Sequence, residues 1–214
     1  MGIIDSLYKT LEEKDSLLLC VLIKDTRRAT KMLFRAIVTL ATAAFALANP
    51  LEVRQSSNTN PQIAAILDPL SVRNRNIVVN IDTMQANGTA TDGTIGVQVQ
   101  NLISLYNSAS SSLLAIPVTA GSTTVQPTNI ELSRTLGEAL QALSTGLSGI
   151  QAQQSVPNFS AMISQLDPAV AATVSAFNTT LPGGNDFVHI LMLDASQFLR
   201  DEGAWPETLA ALGF

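Results

Sequence analysis

His189 is the one histidine of the sequence, so any acid–base chemistry by imidazole would have to start there. It sits among Phe187, Val188, Ile190 and Leu191. A Ser-His-Asp triad needs a serine that is presented sharply, as the G-x-S-x-G turn does. No such turn occurs. Gly146-Leu147-Ser148-Gly149 comes closest in letters, but its spacing is wrong and it falls within a leucine repeat. A lone histidine on an apolar helix packs its ring and finds a carbonyl for one nitrogen, and that is the role expected of His189. The densest acidic spot is Asp201-Glu202, which reads as a solvated helix end because no EF-hand loop surrounds it. There is no H-E-x-x-H, no Walker loop and no G-x-G-x-x-G. One histidine without a nearby cysteine does not make a usual zinc site. These observations point to a non-enzyme with no metal and no cofactor.

The elements that carry these residues read as helices punctuated by proline and glycine. Ile63–Leu67 forms a short apolar piece that ends at Asp68-Pro69, where Asp68 caps and Pro69 opens the next segment. Ile77, Ile81 and Met84 share a helix face, and Asn87-Gly88 ends that helix. Asp92 reads as the N-cap of a second helix striped by Ile95, Val99, Leu102, Tyr106, Ala109 and Leu113. After a Gly/Ser/Thr linker over Thr119–Thr124, Thr128-Asn129-Ile130-Glu131 fits a capping box. Leu136, Leu140, Leu143, Leu147 and Ile150 then form a continuous apolar seam. Beyond Pro157 come Phe159–Leu166, a second cap-and-proline pair at Asp167-Pro168, and a stripe of Val170, Val174, Phe177 and Leu181. A last long helix places Phe187, Leu191, Ala195 and Phe198 on one face and ends at Gly203, ahead of a short tail helix with Leu209 and Leu212. No segment sustains the alternation of a strand. The spacing predicts an all-α fold, an antiparallel bundle of about four or five helices.

Met32–Ala48 has a different character. Arg35 precedes a run of small and apolar residues from Ala36, and the run closes on Ala46-Leu47-Ala48. A positive start, an apolar middle and an A-x-A site describe a secretory signal peptide, and the run is shorter than the ~20 residues of a membrane span. The chain is therefore read as an upstream extension over 1–31, a signal peptide over 32–48, a disordered mature N-terminus over 49–60, and a helical domain over 61–214; either Met32 is the true start, or the extension is genuine and precedes an uncleaved anchor. Gly2 and Ser6 match the loose myristoylation pattern, which has no use ahead of a secretory signal. The tail from Trp205 to Phe214 is too short for a GPI signal.

Residues 49–214 hold twelve acidic residues against five arginines, a formal charge of −7, with no lysine and no cysteine. Such a balance excludes nucleic acid, whose phosphates need a basic patch. It also disfavours electrostatic docking to anionic lipid. With no disulfide available, an exported domain must rely on its own hydrophobic core. Three sequons, at Asn87, Asn158 and Asn178, lie where helices are expected to end, and glycosylation is expected at one or more of them.

Gly96-Val97-Gln98-Val99-Gln100-Asn101-Leu102 and the spaced leucines of the third helix carry a resemblance over roughly Ile77–Phe198. In these, and in its layout of signal peptide followed by one Ala/Ser/Leu-rich, Cys-poor helical domain, the chain resembles the hydrophobic surface-binding protein A family, which includes fungal cell-wall galactomannoproteins. It departs from that pattern in having no lysine in the domain and in the aromatic content of Phe187–Phe198. The resemblance implies a secreted or wall-associated protein that adsorbs to hydrophobic surfaces or holds a fatty acid between its helices. Aliphatic helix faces suit that role, since each buried methylene contributes roughly 0.8 kcal/mol. Met84, Leu102, Tyr106, Leu140, Leu143, Leu147, Phe177 and Leu191 are the expected inward-facing lining, and equally the expected core. The alternatives are a structural or effector-like wall protein that acts through protein contacts without a cavity, and a hydrolase built on His189.

Overall fold

The structure is a computed structural model that describes residues 58–153 and 156–214. The upstream extension, the signal peptide and most of the polar stretch 49–60 lie outside the described residues. Within them the chain is all helical, with seven helices and no strand: α1 Asn60–Ala86, α2 Asp92–Leu114, α3 Asn129–Gln153, α4 Phe159–Thr180, α5 Gly184–Met192, α6 Ser196–Glu202 and α7 Pro206–Leu212. None of these is long and apolar enough to cross a membrane.

The apolar periods of α2 and α3 bury as their spacing predicts. Ile95, Val99, Leu102, Tyr106, Ala109 and Leu113 are all buried, and so are Leu136, Leu140, Leu143, Leu147 and Ile150. The capping box that opens α3 is formed: Glu131 Oε2 accepts the Thr128 backbone N–H at 2.7 Å, and Thr128 Oγ1 accepts that of Glu131 at 3.3 Å.

Four expectations are corrected. α1 runs unbroken through Pro69, and α4 through Pro168. Both prolines are exposed, so solvent reaches the carbonyl that each leaves without a donor one turn earlier. Second, α2 is capped by Thr91, whose hydroxyl exchanges bonds with Thr94, while Asp92 is the first helical residue. Third, the Phe187–Phe198 segment is two helices, α5 and α6, and its buried side is Val188, Met192, Ala195 and Leu199. Phe187, Leu191 and Phe198 are only half-buried, because the helix is rotated by one residue from the expected stripe. Fourth, Glu202 is buried at 5% exposure instead of solvated, although Asp201 beside it is exposed.

Named contacts give the helix directions. Asn60 meets Asn129 and Asn74 meets Ala139, so α1 and α3 lie side by side and run the same way. Thr173 Oγ1 donates to the Tyr106 carbonyl and Thr180 Oγ1 to that of Leu113, so α2 and α4 are also parallel neighbours. α1 and α2 are antiparallel, since one groove of their shared seam is walled by residues 65–73 and 105–112 and the next by residues 73–77 and 101–108. α5 packs on α3 and α7 on α4. Where these elements meet above Asn60, the loop before α3 is tied down. Asn60 is fully buried, and its Nδ2 donates to the carbonyls of Ser122 and Pro127 and to Asn129 Oδ1. Gly121, at φ +65°, is needed there, since a Cβ would strike both asparagine side chains and Leu181.

Candidate functional site

The expected lining residues sit in the packed interior. Leu102, Tyr106, Leu140, Leu143, Leu147 and Phe177 are each no more than 2% exposed, while Met84 and Leu191 are half-buried. Tyr106 has a second role. Its hydroxyl donates to Asn74 Oδ1 at 3.1 Å, and Asn74 Nδ2 donates to the Ala139 carbonyl at 2.8 Å, which ties α1, α2 and α3 together at mid-length. Burial pushes the Tyr106 phenol well above its ordinary value. A buried asparagine with both ends of its amide bonded satisfies the accounting for polar groups in a core.

The open space lies elsewhere, along the outer seam of α1 and α2. A groove of about 400 Å³ is walled by Arg73, Asn76 and Ile77 of α1 and by Asn101, Ser104, Leu105 and Ser108 of α2. A smaller one of about 180 Å³ adjoins it, sharing Arg73, Leu105 and Ser108 and adding Ile66, Pro69 and Ser112. Leu105 and the isoleucines supply an apolar strip. Ser104, Ser108 and Ser112 recur every four residues and so line one side with hydroxyls. Arg73, exposed, stands where the two grooves meet. The serine ladder is the sequence signal for this seam, and it lies on the side of α2 away from the buried apolar stripe. A third groove, of about 440 Å³, is lined by Arg75, Glu138, Gln141, Asp194 and Phe198 among others, where α3 faces the α5–α6 turn. None of the three draws a wall from the eight expected lining residues.

His189 is engaged as expected of a packing histidine. Its Nδ1 lies 2.8 Å from the Leu212 carbonyl, and because a carbonyl only accepts, that nitrogen carries the proton. The ring stacks on Phe214 with centroids 4.4 Å apart, and Arg200 lies over the same phenyl ring at 5.3 Å. The buried acid nearby is Glu202. Its Oε2 accepts the Trp205 indole N–H, its Oε1 has no partner among the described residues, and burial pushes its carboxyl up to about 7 against the smaller opposing pull of that hydrogen bond. Among the described residues no group of three or more His, Cys, Asp or Glu is placed to hold a metal ion.

The three sequon asparagines are all exposed, at the end of α1, just before α4 and in the last turn of α4. Asn158 also donates through Nδ2 to Asp92 Oδ2 at 2.7 Å, which clips the start of α4 to the start of α2. No protein-family model matches the chain, and no curated protein matches it.

Proposed function

We propose that the chain is a secreted, non-catalytic protein that binds a hydrophobic surface or a lipid acyl chain. In this reading it is similar in role to the hydrophobic surface-binding proteins and is glycosylated at one or more of Asn87, Asn158 and Asn178. The four long helices act as one bundle, alternating in direction along the chain, with α5–α7 closing the side between α3 and α4. The observation that carries the reading is the α1/α2 groove. It has an apolar strip, a hydroxyl-lined side and one arginine, and its volume falls within the ~300–1,000 Å³ usual for small-molecule sites. An acyl chain laid on Ile77 and Leu105 leaves its polar end beside Arg73. The core residues first expected to line a ligand are already satisfied by one another, so the groove accepts a chain without parting the helices.

The test is native mass spectrometry of the secreted, deglycosylated protein before and after organic extraction, followed by titration with long-chain fatty acids. The expected result is an N-terminus at Asn49 and a one-to-one adduct. Leu105→Asp should weaken that adduct by at least tenfold, since it places a charge on the apolar strip. A protein that gains no mass from any fatty acid and does not adsorb to a hydrophobic support would sink the reading. An adduct unaffected by Leu105→Asp would move the site away from the groove.

A further inference from the structure

The last twelve residues are held to the rest of the protein by a set of contacts that converge on titratable groups. α7 lies on α4, where the Asp167 side chain accepts the backbone N–H groups of Glu207 and Thr208. Val170, Ala171 and Val174 follow Asp167 at three, four and seven positions, so they share the face that α7 covers, and all three are buried. The opposing face of α7 is Trp205, Thr208, Leu209 and Leu212, again at helical spacing. The far end is pinned where His189 bonds the Leu212 carbonyl and Phe214 lies between the His189 ring and Arg200. The near end is pinned by Trp205, 1% exposed, whose indole bonds Glu202.

We propose that Gly203–Phe214 is a proton-operated clasp, closed over α4 and α5 while the Glu202 carboxyl is protonated and released when it ionises, which uncovers the apolar Val170–Val174 face. A carboxylate cannot stay where Glu202 sits without water, because among the described residues Oε1 has no partner and no neighbouring charge offsets the burial. Hydrating it requires Trp205 to lift, and Trp205 is the residue from which α7 starts. The charged or titratable groups on the surrounding elements are Arg200 and Asp201 on α6, Glu131, Arg134 and Glu138 on α3, and Asp194 ahead of α6. Beyond them stand Asp167 on α4, Asp186 and His189 on α5 and Glu207 on α7, and none of these hydrogen-bonds to Glu202. His189 holds the same segment through Leu212 and Phe214, so the test must separate the two residues. An acid that titrates near 7 when closed and near 4.5 in water loosens the closed form up to about 300-fold at high pH.

Trp205 is the only tryptophan, so its fluorescence reports the clasp directly. The experiment follows its emission from pH 4.5 to 8.5 on the purified protein, with hydrogen exchange at both ends of the range. The expected result is a red shift centred between pH 4.5 and about 7, with protection lost over Gly203–Phe214 and kept in α2 and α3. Glu202→Gln should abolish the shift and stay closed throughout. Phe214→Ala, which removes the stack on His189 and leaves Glu202 intact, should move the midpoint to lower pH and serves if Glu202→Gln does not fold. Unchanged emission overturns the proposal, as does protection lost throughout the chain, or a midpoint unmoved in Phe214→Ala. So does a transition that survives Glu202→Gln and disappears in His189→Gln.

Discussion

Asp167 and Thr208 lie 41 positions apart, yet Asp167 Oδ1 accepts the Thr208 backbone N–H at 2.8 Å, and the Thr208 hydroxyl returns a bond to the Asp167 carbonyl at 3.2 Å. With Oδ2 on the Glu207 N–H at 2.9 Å, a residue in the middle of α4 does the capping of α7 that the side chain of its N-cap residue, Trp205, does not. Asp167 and Thr208 are buried and Glu207 is exposed, so removing the carboxylate strands the Thr208 N–H away from water. Asp167→Ala should lower the unfolding free energy by about 1–3 kcal/mol in urea denaturation. Asp167→Asn, which keeps one acceptor oxygen, should lose about half as much. Equal losses in the two variants would mean that the cap is not what the carboxylate contributes.

The same residue explains what the sequence could and could not reveal. Asp68-Pro69 and Asp167-Pro168 are the same pair of letters, and each reads locally as a cap followed by a first-turn proline. In the structure both fall inside long helices, with Asp68 exposed and Asp167 buried beneath a helix that starts 39 residues later. Local propensity was overruled because the apolar stripe continues across each proline: Leu67 and Leu70 on one side, Leu166 and Val170 on the other, are all buried. The stripes of α2 and α3 were legible because a period of 3.6 needs no partner to declare itself. The partner of Asp167, the rotation of α5 and the burial of Glu202 were not, because each depends on where a distant element docks. The groove along α1 and α2 is of the same kind, since two helix exteriors make it jointly.

Those exposed prolines give a second prediction. Proline in a helix interior removes one hydrogen bond and costs on the order of 3 kcal/mol relative to alanine. Pro168 and Pro69 point to solvent, so replacing them removes no packing. Pro168→Ala should raise stability by about 1–3 kcal/mol and increase the melting temperature. A decrease would show that the proline holds a bend that α7 needs in order to dock.

The Tyr106–Asn74 bond predicts a pH response as well as a stability change. Tyr106→Phe keeps the ring and leaves Asn74 Oδ1 without its donor, at a cost of about 1–2 kcal/mol. In the double variant with Asn74→Leu the two losses should be less than additive, since the second change removes the stranded acceptor. Because burial raises the phenol above its ordinary value, the folded state holds that proton more tightly than the unfolded state. Stability from this residue is therefore intact below the ordinary phenol range and falls as pH rises through it. Ultraviolet titration of a chain beginning at Asn49, in which Tyr106 is the only tyrosine, should show no phenolate until the protein unfolds. Phenolate appearing while far-ultraviolet dichroism is still native would contradict the buried position.

Gly146 makes the last prediction, and it separates packing from the catalytic reading that its neighbourhood suggests by eye. It lies on α3 against α1, where a Cβ would collide with Val78 Cγ1, and Val78 is itself buried. Alanine is intrinsically better than glycine in a helix by roughly 1 kcal/mol, so a surface Gly→Ala change would stabilise. Here the crowding dominates, because neither backbone can retreat without opening the Leu143–Leu147 seam. Gly146→Ala should therefore lower stability by about 1–3 kcal/mol. Val78→Ala in the same chain should recover part of that loss by clearing the methyl group in the way. Ser148, two residues on, donates to the Thr145 carbonyl at 2.7 Å within its own helix, so Ser148→Ala should leave stability within about 0.5 kcal/mol. If Gly146→Ala were neutral or stabilising, α1 and α3 would have to lie farther apart than the contact with Val78 requires.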